Sequence, residues 1–266
     1  MGLGGLKFWK RRRKRFHEAL KGISFELRKG ERLAVIGRNG AGKSTLLKLF
    51  NENFQPTLGH IEVNGTVQAL LHTGLGFFPD FTGYENLRSS LLYNGLSPGE
   101  LEGAIAEIVD FVELGEFLHQ PFKTYSLGMR SRLQFAAATA IHPDILLIDE
   151  VLGAGDAYFT AKSALRVKAL TGSGCTLILV SHSMEQVLQF CERAIWLEAG
   201  AIVMDGLALP VVRAYEEYAR RLEHEAKEAK ASARSGSILA NDKIREQVLS
   251  DVLERSRKVA SGALAD

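Results

Sequence analysis

The sequence predicts an α/β fold with a mostly parallel core sheet, an antiparallel β subdomain and an inserted helical subdomain. Three observations carry this. Short apolar runs at residues 33–36, 145–148 and 176–180 have the length and continuity of strands buried on both faces. A glycine-rich turn at 37–42 separates the first run from a helical pattern. Between residues 82 and 135 helix-start signals and helical periodicity replace strand patterning.

The chain has 266 residues, 46% hydrophobic and 24% charged, enough for one large or two small domains with a sizeable core. No apolar run approaches the roughly 18 residues that span a bilayer, and the N-terminus is charged without a signal peptide's apolar stretch. The expected location is therefore the cytoplasm. Cys175 and Cys191 lie in apolar runs without metal-ligand spacing and read as reduced core residues. A net charge of +2 names no partner, but its distribution is uneven: seven of the nine residues of KFWKRRRKR, 7–15, are basic.

After this basic arm, residues 1–17, come Ile23, Phe25 and Leu27 alternating with polar residues, a turn at Gly30 and a buried strand at 33–36, which reads as a strand pair. The next stretch, GRNGAGKSTLLKLF, satisfies G-x-x-x-x-G-K-[ST] with Gly37, Gly42, Lys43 and Ser44, directly after a strand and directly before a helix. In that context the backbone N–H groups of Asn39, Gly40, Ala41, Gly42, Lys43 and Ser44, with Thr45, cradle a triphosphate. Lys43 reaches its β and γ oxygens, and the Ser44 hydroxyl takes a Mg²⁺ position.

Thr82-x-x-Glu85 is a capping box, and Pro98 after Ser97 marks another helix start, so 82–135 reads as a separate helical arm. From Met129 the apolar and small residues recur at helical spacing, with Arg130 and Arg132 interleaved. Ser126 and Gly128 stand at the start of that helix, where free N–H groups and the helix dipole favour an anion, or where Ser126 serves as a simple cap.

ILLIDE, 145–150, is a buried strand whose two carboxylates fall where a parallel strand ends, beside the phosphate loop. Asp149 is the expected Mg²⁺ holder and Glu150 the general base that polarises the attacking water. TLILVSH, 176–182, ends in His182, placed to contact the γ-phosphate or that water. The tail, 221–266, is polar and Ala-rich, breaks around 235–237, and ends with Ile244, Val248, Leu249, Val252 and Leu253 on one helical face. That face belongs either to a frayed end or to a helix that docks on this chain, a second copy or a permease.

In their order, GRNGAGKST, YSLGM, ILLIDE, GAGD and LVSHS resemble the ATP-binding subunit of an ABC transporter over residues 18–220. The resemblance implies the P-loop NTPase fold of ABC ATPases, ATP and Mg²⁺ as ligands, and ATP hydrolysis coupled to transport. It makes YSLGM the signature motif, so Ser126 and Gly128 face the γ-phosphate of an ATP held by the other subunit of a head-to-tail homodimer. Asp156 falls in the D-loop along that interface.

This chain departs from the family pattern in places. Leu127 and Met129 replace a glycine and a glutamine of the common signature. Where a Q-loop glutamine belongs, His72 or Thr73 stands, and Gln68 lies earlier. Trp9 and Phe16 are the candidates for stacking on adenine.

The signature variant, GFFPDFTGYENL, EVLGAGD and CERAIWLEAGAIVMDG resemble the branch that energises export of polysaccharides such as O-antigen, capsule or teichoic acid. That implies a separate integral membrane permease docking near 72–90 and a place on the cytoplasmic face of the inner membrane, with the basic arm against anionic lipid. Some relatives append a carbohydrate-binding sandwich; the tail here is shorter than the roughly 100 residues it requires. A drug or lipid exporter would keep the mechanism and change the cargo. A soluble ABC ATPase acting on nucleic acid or ribosomes generally carries two cassettes or long insertions, so no nucleic-acid partner is expected.

Overall fold

The computed structural model describes residues 18–51, 54–70, 77–149, 156–232 and 238–260. Its centre is a six-stranded sheet of β1 (Arg32–Ile36), β2 (Val67–Leu70), β3 (Ile145–Asp149), β4 (Thr176–Val180), β5 (Arg193–Glu198) and β6 (Ala201–Leu207). The order is β2-β3-β4-β1-β5-β6, parallel throughout except for the β5–β6 hairpin at one edge. Leu33 to Ile36, Leu146 to Ile148, Leu177 and Leu179 are buried. Continuous apolar runs of this kind suit strands covered by helices on both faces.

One sequence expectation is corrected here. Residues 23–27 form no ladder with β1, because β4 and β5 occupy both of its edges. Their alternation instead presses Ile23, Phe25 and Leu27 onto the core beside β1, with Phe25 edge-on to Phe50 at 5.9 Å. The antiparallel part of the sheet is the β5–β6 hairpin. Between β3 and β1 lies β4.

The helical arm follows its start signals. In α2 (Gly83–Tyr93), Thr82 Oγ1 accepts from the Glu85 N–H at 3.1 Å and the Glu85 carboxylate accepts from the Thr82 N–H at 2.8 Å. In α3 (Pro98–Val112), Glu100 accepts the Ser97 N–H at 3.3 Å, and Leu101, Ile105 and Ile108 form the buried stripe. α4 (Leu127–Ala140) starts two residues before the apolar periodicity does, because Ser126 sets the cap. It packs on α2, α3, β2 and α5 (Ala157–Gly172).

Two ion pairs tie α3 and its end to α5: Arg166 to Glu107 at 2.9 Å and Lys162 to Glu113 at 2.6 Å. Both cations also lie over the Phe111 ring, at 4.7 and 5.0 Å from its centroid.

Beyond α6 (Met184–Phe190) and the hairpin, α7 (Ala208–Ser232) lays Val211, Val212, Ala214 and Tyr218 into the core against β5 and β6. α8 (Ile238–Ala260) returns along α7. Val248 and Val252 of the predicted stripe are buried, with Ile244, Leu249 and Leu253 packed beside them. The stripe is therefore covered within the same chain. Among the described residues no helix is long and apolar enough to cross a membrane.

Candidate functional site

The carboxyl ends of the parallel strands converge on the loop after β1. Gly37 opens it with φ 148°, and a Cβ there would stand 2.1 Å from the Leu197 carbonyl oxygen, so the loop lies directly on β5. Gly42 closes it in the left-handed region, φ 108°, as N-cap of α1 (Lys43–Phe50). With no side chain to cap that helix, its first-turn N–H groups stay available to a ligand. On the outer side the Ala41 carbonyl accepts from the Gly200 N–H at 3.0 Å, and the Gly200 carbonyl from the Lys21 N–H at 2.7 Å.

Lys43 is 7% exposed, and its Nζ donates to the carbonyls of Gly37 at 2.7 Å and Arg38 at 3.1 Å. The ammonium thus reaches over the loop onto two of its carbonyls, acceptors that an anionic phosphate oxygen can replace. Asn39 and Gly40 form the exposed apex, Ser44 is exposed on the first turn and Thr45 is half-buried.

Asp149 ends β3, in register with Val180 of β4, and His182 lies exposed just past β4, the strand beside β1. Lys43, Ser44, Asp149 and His182 thereby share the carboxyl end of the parallel strands. The donor set suits its expected ligands: a hydroxyl and a carboxylate are hard oxygen ligands for Mg²⁺, while the uncapped turn and buried ammonium match a polyphosphate. Glu150, the Q-loop candidates His72 and Thr73, the arm 7–15, Trp9 and Phe16 lie outside the described residues. Gln68 is in β2, paired with Leu146.

The second predicted anion position is the start of α4. Ser126 Oγ accepts from the Met129 N–H at 3.2 Å, so the serine does cap its own helix. The Leu127 side chain is 80% exposed, and the N–H groups of Leu127 and Gly128 have no intrahelical acceptor. Asp156 caps α5 by accepting from the Phe159 N–H at 2.8 Å and pairs with Arg132 of α4 at 2.6 Å. That amide first, and then the Arg132 charge, hold its carboxyl below the usual range. The sequence pattern marks Arg132 only as an arginine interleaved in α4; its partner lies 24 residues away, beyond the reach of helical spacing.

The cysteines are buried and unbridged, and burial pushes the Cys191 thiol up to about 12. Neither is a nucleophile at neutral pH.

Comparison with known proteins agrees with this geometry. Residues 20–153 match the family described as ABC transporter. The O-antigen export system ATP-binding protein RfbB of Myxococcus xanthus is 43% identical over 199 residues, which cover 75% of this chain and 46% of that protein. The teichoic acids export ATP-binding protein TagH of Listeria monocytogenes is 39% identical over 202 residues, 76% of this chain and 60% of that one. The chain thus spans about half to three-fifths of the length of these relatives.

Among solved structures, a dimeric ATP-binding cassette in a post-hydrolysis state bound to ADP and Pi superposes with a TM-score of 0.62 at 23% identity. The match covers 71% of this chain and 90% of that one, and the two share the fold. Since the family match takes in half of the residues, from the approach to the phosphate loop through the start of α4 and β3, the chain belongs to the ABC transporter family.

Proposed function

We propose that the protein is the ATP-hydrolysing subunit of an exporter for a polysaccharide or lipid-linked glycan, working as a head-to-tail homodimer around two MgATP beneath a separate membrane permease. The observation that carries the ATPase reading is the buried Lys43 ammonium, poised on the Gly37 and Arg38 carbonyls above an uncapped helix turn. The O-antigen and teichoic acid names of the relatives support the cargo.

In this reading Lys43 leaves its carbonyl acceptors for the β and γ oxygens, and the amides of residues 39 to 45 cradle the remaining charge. Ser44 and Asp149 hold Mg²⁺, which when bound offsets the charge of the triphosphate. Glu150 draws the proton from the attacking water, and His182 steadies the water or the γ-phosphate. The Ser126 and Gly128 end of α4 faces the nucleotide of the second copy, and Asp156 lies along the same interface. A two-fold axis makes the two composite sites equivalent. The basic arm 7–15 rests on the anionic inner leaflet, each basic residue contributing about 1 kcal/mol near the surface.

Phosphate release by the purified chain, compared with Lys43→Ala, tests the enzymatic reading. Activity in the wild type that vanishes in the variant supports it, and equal rates overturn it. For the cargo, loss of the gene should leave lipid-linked glycan inside the cell and deplete it at the surface. Unchanged surface glycan would reassign the exporter to another substrate.

A further inference from the structure

The turn from β4 into α6 is tied together around His182 by side chains that the proposed mechanism does not use. Val180, 1% exposed, ends β4 in register with Val35 of β1 and Asp149 of β3. Next come Ser181, 4% exposed, then the exposed His182, then Ser183 as N-cap of α6. Ser183 Oγ accepts from the Gln186 N–H at 3.3 Å, which is the first half of a capping box with Gln186 as its third helical residue.

The second half is rerouted. In a capping box the side chain of the third helical residue accepts from the N-cap N–H. Here Ser181 Oγ accepts the Ser183 N–H at 3.0 Å and donates its own proton to Gln186 Oε1 at 2.9 Å. A hydroxyl engaged both as donor and as acceptor is no longer free to rotate. The cap would be complete with Gln186 on the Ser183 N–H, so inserting Ser181 adds nothing to α6. It extends the hold backward across His182 to the end of β4, and one helical side chain thereby fixes the residues on both sides of the histidine. The helix itself is anchored, with Val187 fully buried and Met184 packed on the core.

We infer that Gln186 is a positioning residue for His182: by holding the Ser181 hydroxyl it fixes the backbone from which the imidazole is presented to the γ-phosphate or the attacking water. It acts without touching either. This inference rests on the role given to His182 above.

The test measures four quantities on the full chain: phosphate release at saturating MgATP, Kd for a fluorescent ATP analogue, thermal unfolding, and solvent exchange of the Ser183 amide without nucleotide. Gln186→Leu removes the acceptor and keeps the bulk, so kcat should fall about three- to tenfold while Kd stays within about twofold. The Ser183 amide should exchange at least about threefold faster. Gln186→Glu keeps the acceptor and should recover most of the rate. Ser181→Ala should slow turnover like Gln186→Leu, and the double variant should be no slower than the slower single, because both break one connection. In a His182→Ala background Gln186→Leu should cost nothing further.

Ser181→Ala, the smaller change, carries the same test if Gln186→Leu unfolds early. A kcat within about twofold of wild type in the Gln186 and Ser181 variants, or an undiminished effect of Gln186→Leu in the His182→Ala background, overturns the inference. A wild-type rate in His182→Ala overturns the role of His182 and this inference together; a slow His182→Ala beside unaffected Gln186 and Ser181 variants overturns only the inference.

Discussion

Arg132 of α4 and Asp156 at the head of α5 are joined by a 2.6 Å ion pair, with the Arg132 guanidinium also lying 5.1 Å over the Phe159 ring. One carboxylate thus caps α5 through the Phe159 amide and anchors α4 through Arg132. In the proposed dimer Asp156 lies along the interface, so a shift of α4 is passed to it through Arg132.

Asp156 should contribute an acid-sensitive part of the stability. Its folded carboxyl is held below the ordinary value of 3.8, so the contribution is complete above 3.8 and is lost as pH falls through the lower folded value. Asp156→Asn keeps an acceptor for the Phe159 amide and removes the charge. Melting temperatures at neutral pH and near about pH 3 should differ less in the variant than in wild type. An unchanged difference would show that the pair adds nothing to folding.

The two glycines Gly37 and Gly40 should not respond alike to alanine. At Gly37 a methyl group meets the Leu197 carbonyl oxygen, whereas at Gly40, φ 83°, nothing lies within 4 Å. Gly37→Ala should cost at least about 3 kcal/mol in denaturant unfolding and Gly40→Ala about 1 kcal/mol. Equal losses would mean that β5 moves aside.

Gly128→Asp puts a negative charge at the first turn of α4, where the second copy's γ-phosphate should lie. ATP should still bind the monomer while hydrolysis fails. Mixed with Lys43→Ala, it should form heterodimers with one doubly damaged and one intact site, so phosphate release should partly return. No recovery would indicate a site complete within one chain.

Glu150→Gln keeps a hydrogen bond to water and loses the charge that draws off its proton. Hydrolysis should slow by about 10² to 10⁴, and an ATP-bound dimer should accumulate in size-exclusion chromatography. Asp149→Asn should instead weaken Mg²⁺ binding and give no such dimer. A wild-type rate in Glu150→Gln would move the search for the base to His182.

Local chemistry made much of this architecture legible. The strand, glycine loop and helix at 32–50 are consecutive, and Thr82 with Glu85 or Ser97 with Pro98 announce helices within a single turn. Alternation at 23–27 showed which side chains face the core but not that both edges of β1 were taken. The place of β4 between β1 and β3 is a matter of topology, on which periodicity is silent. The same holds for Arg132 with Asp156 and Tyr218 with Glu198, pairings made by tertiary packing across 24 and 20 residues.

The joint between α3 and α5 carries a consequence for the conditions in which the protein works. The carboxylates of Glu107 and Glu113 face water, with 66% and 49% of their side chains exposed, while Lys162 and Arg166 also rest on the Phe111 ring. Dissolved salt screens the first kind of contact far more than the second. Rising ionic strength should therefore leave the two bodies in contact while weakening what keeps them in register, so the helical arm becomes easier to swing in brine than in dilute buffer.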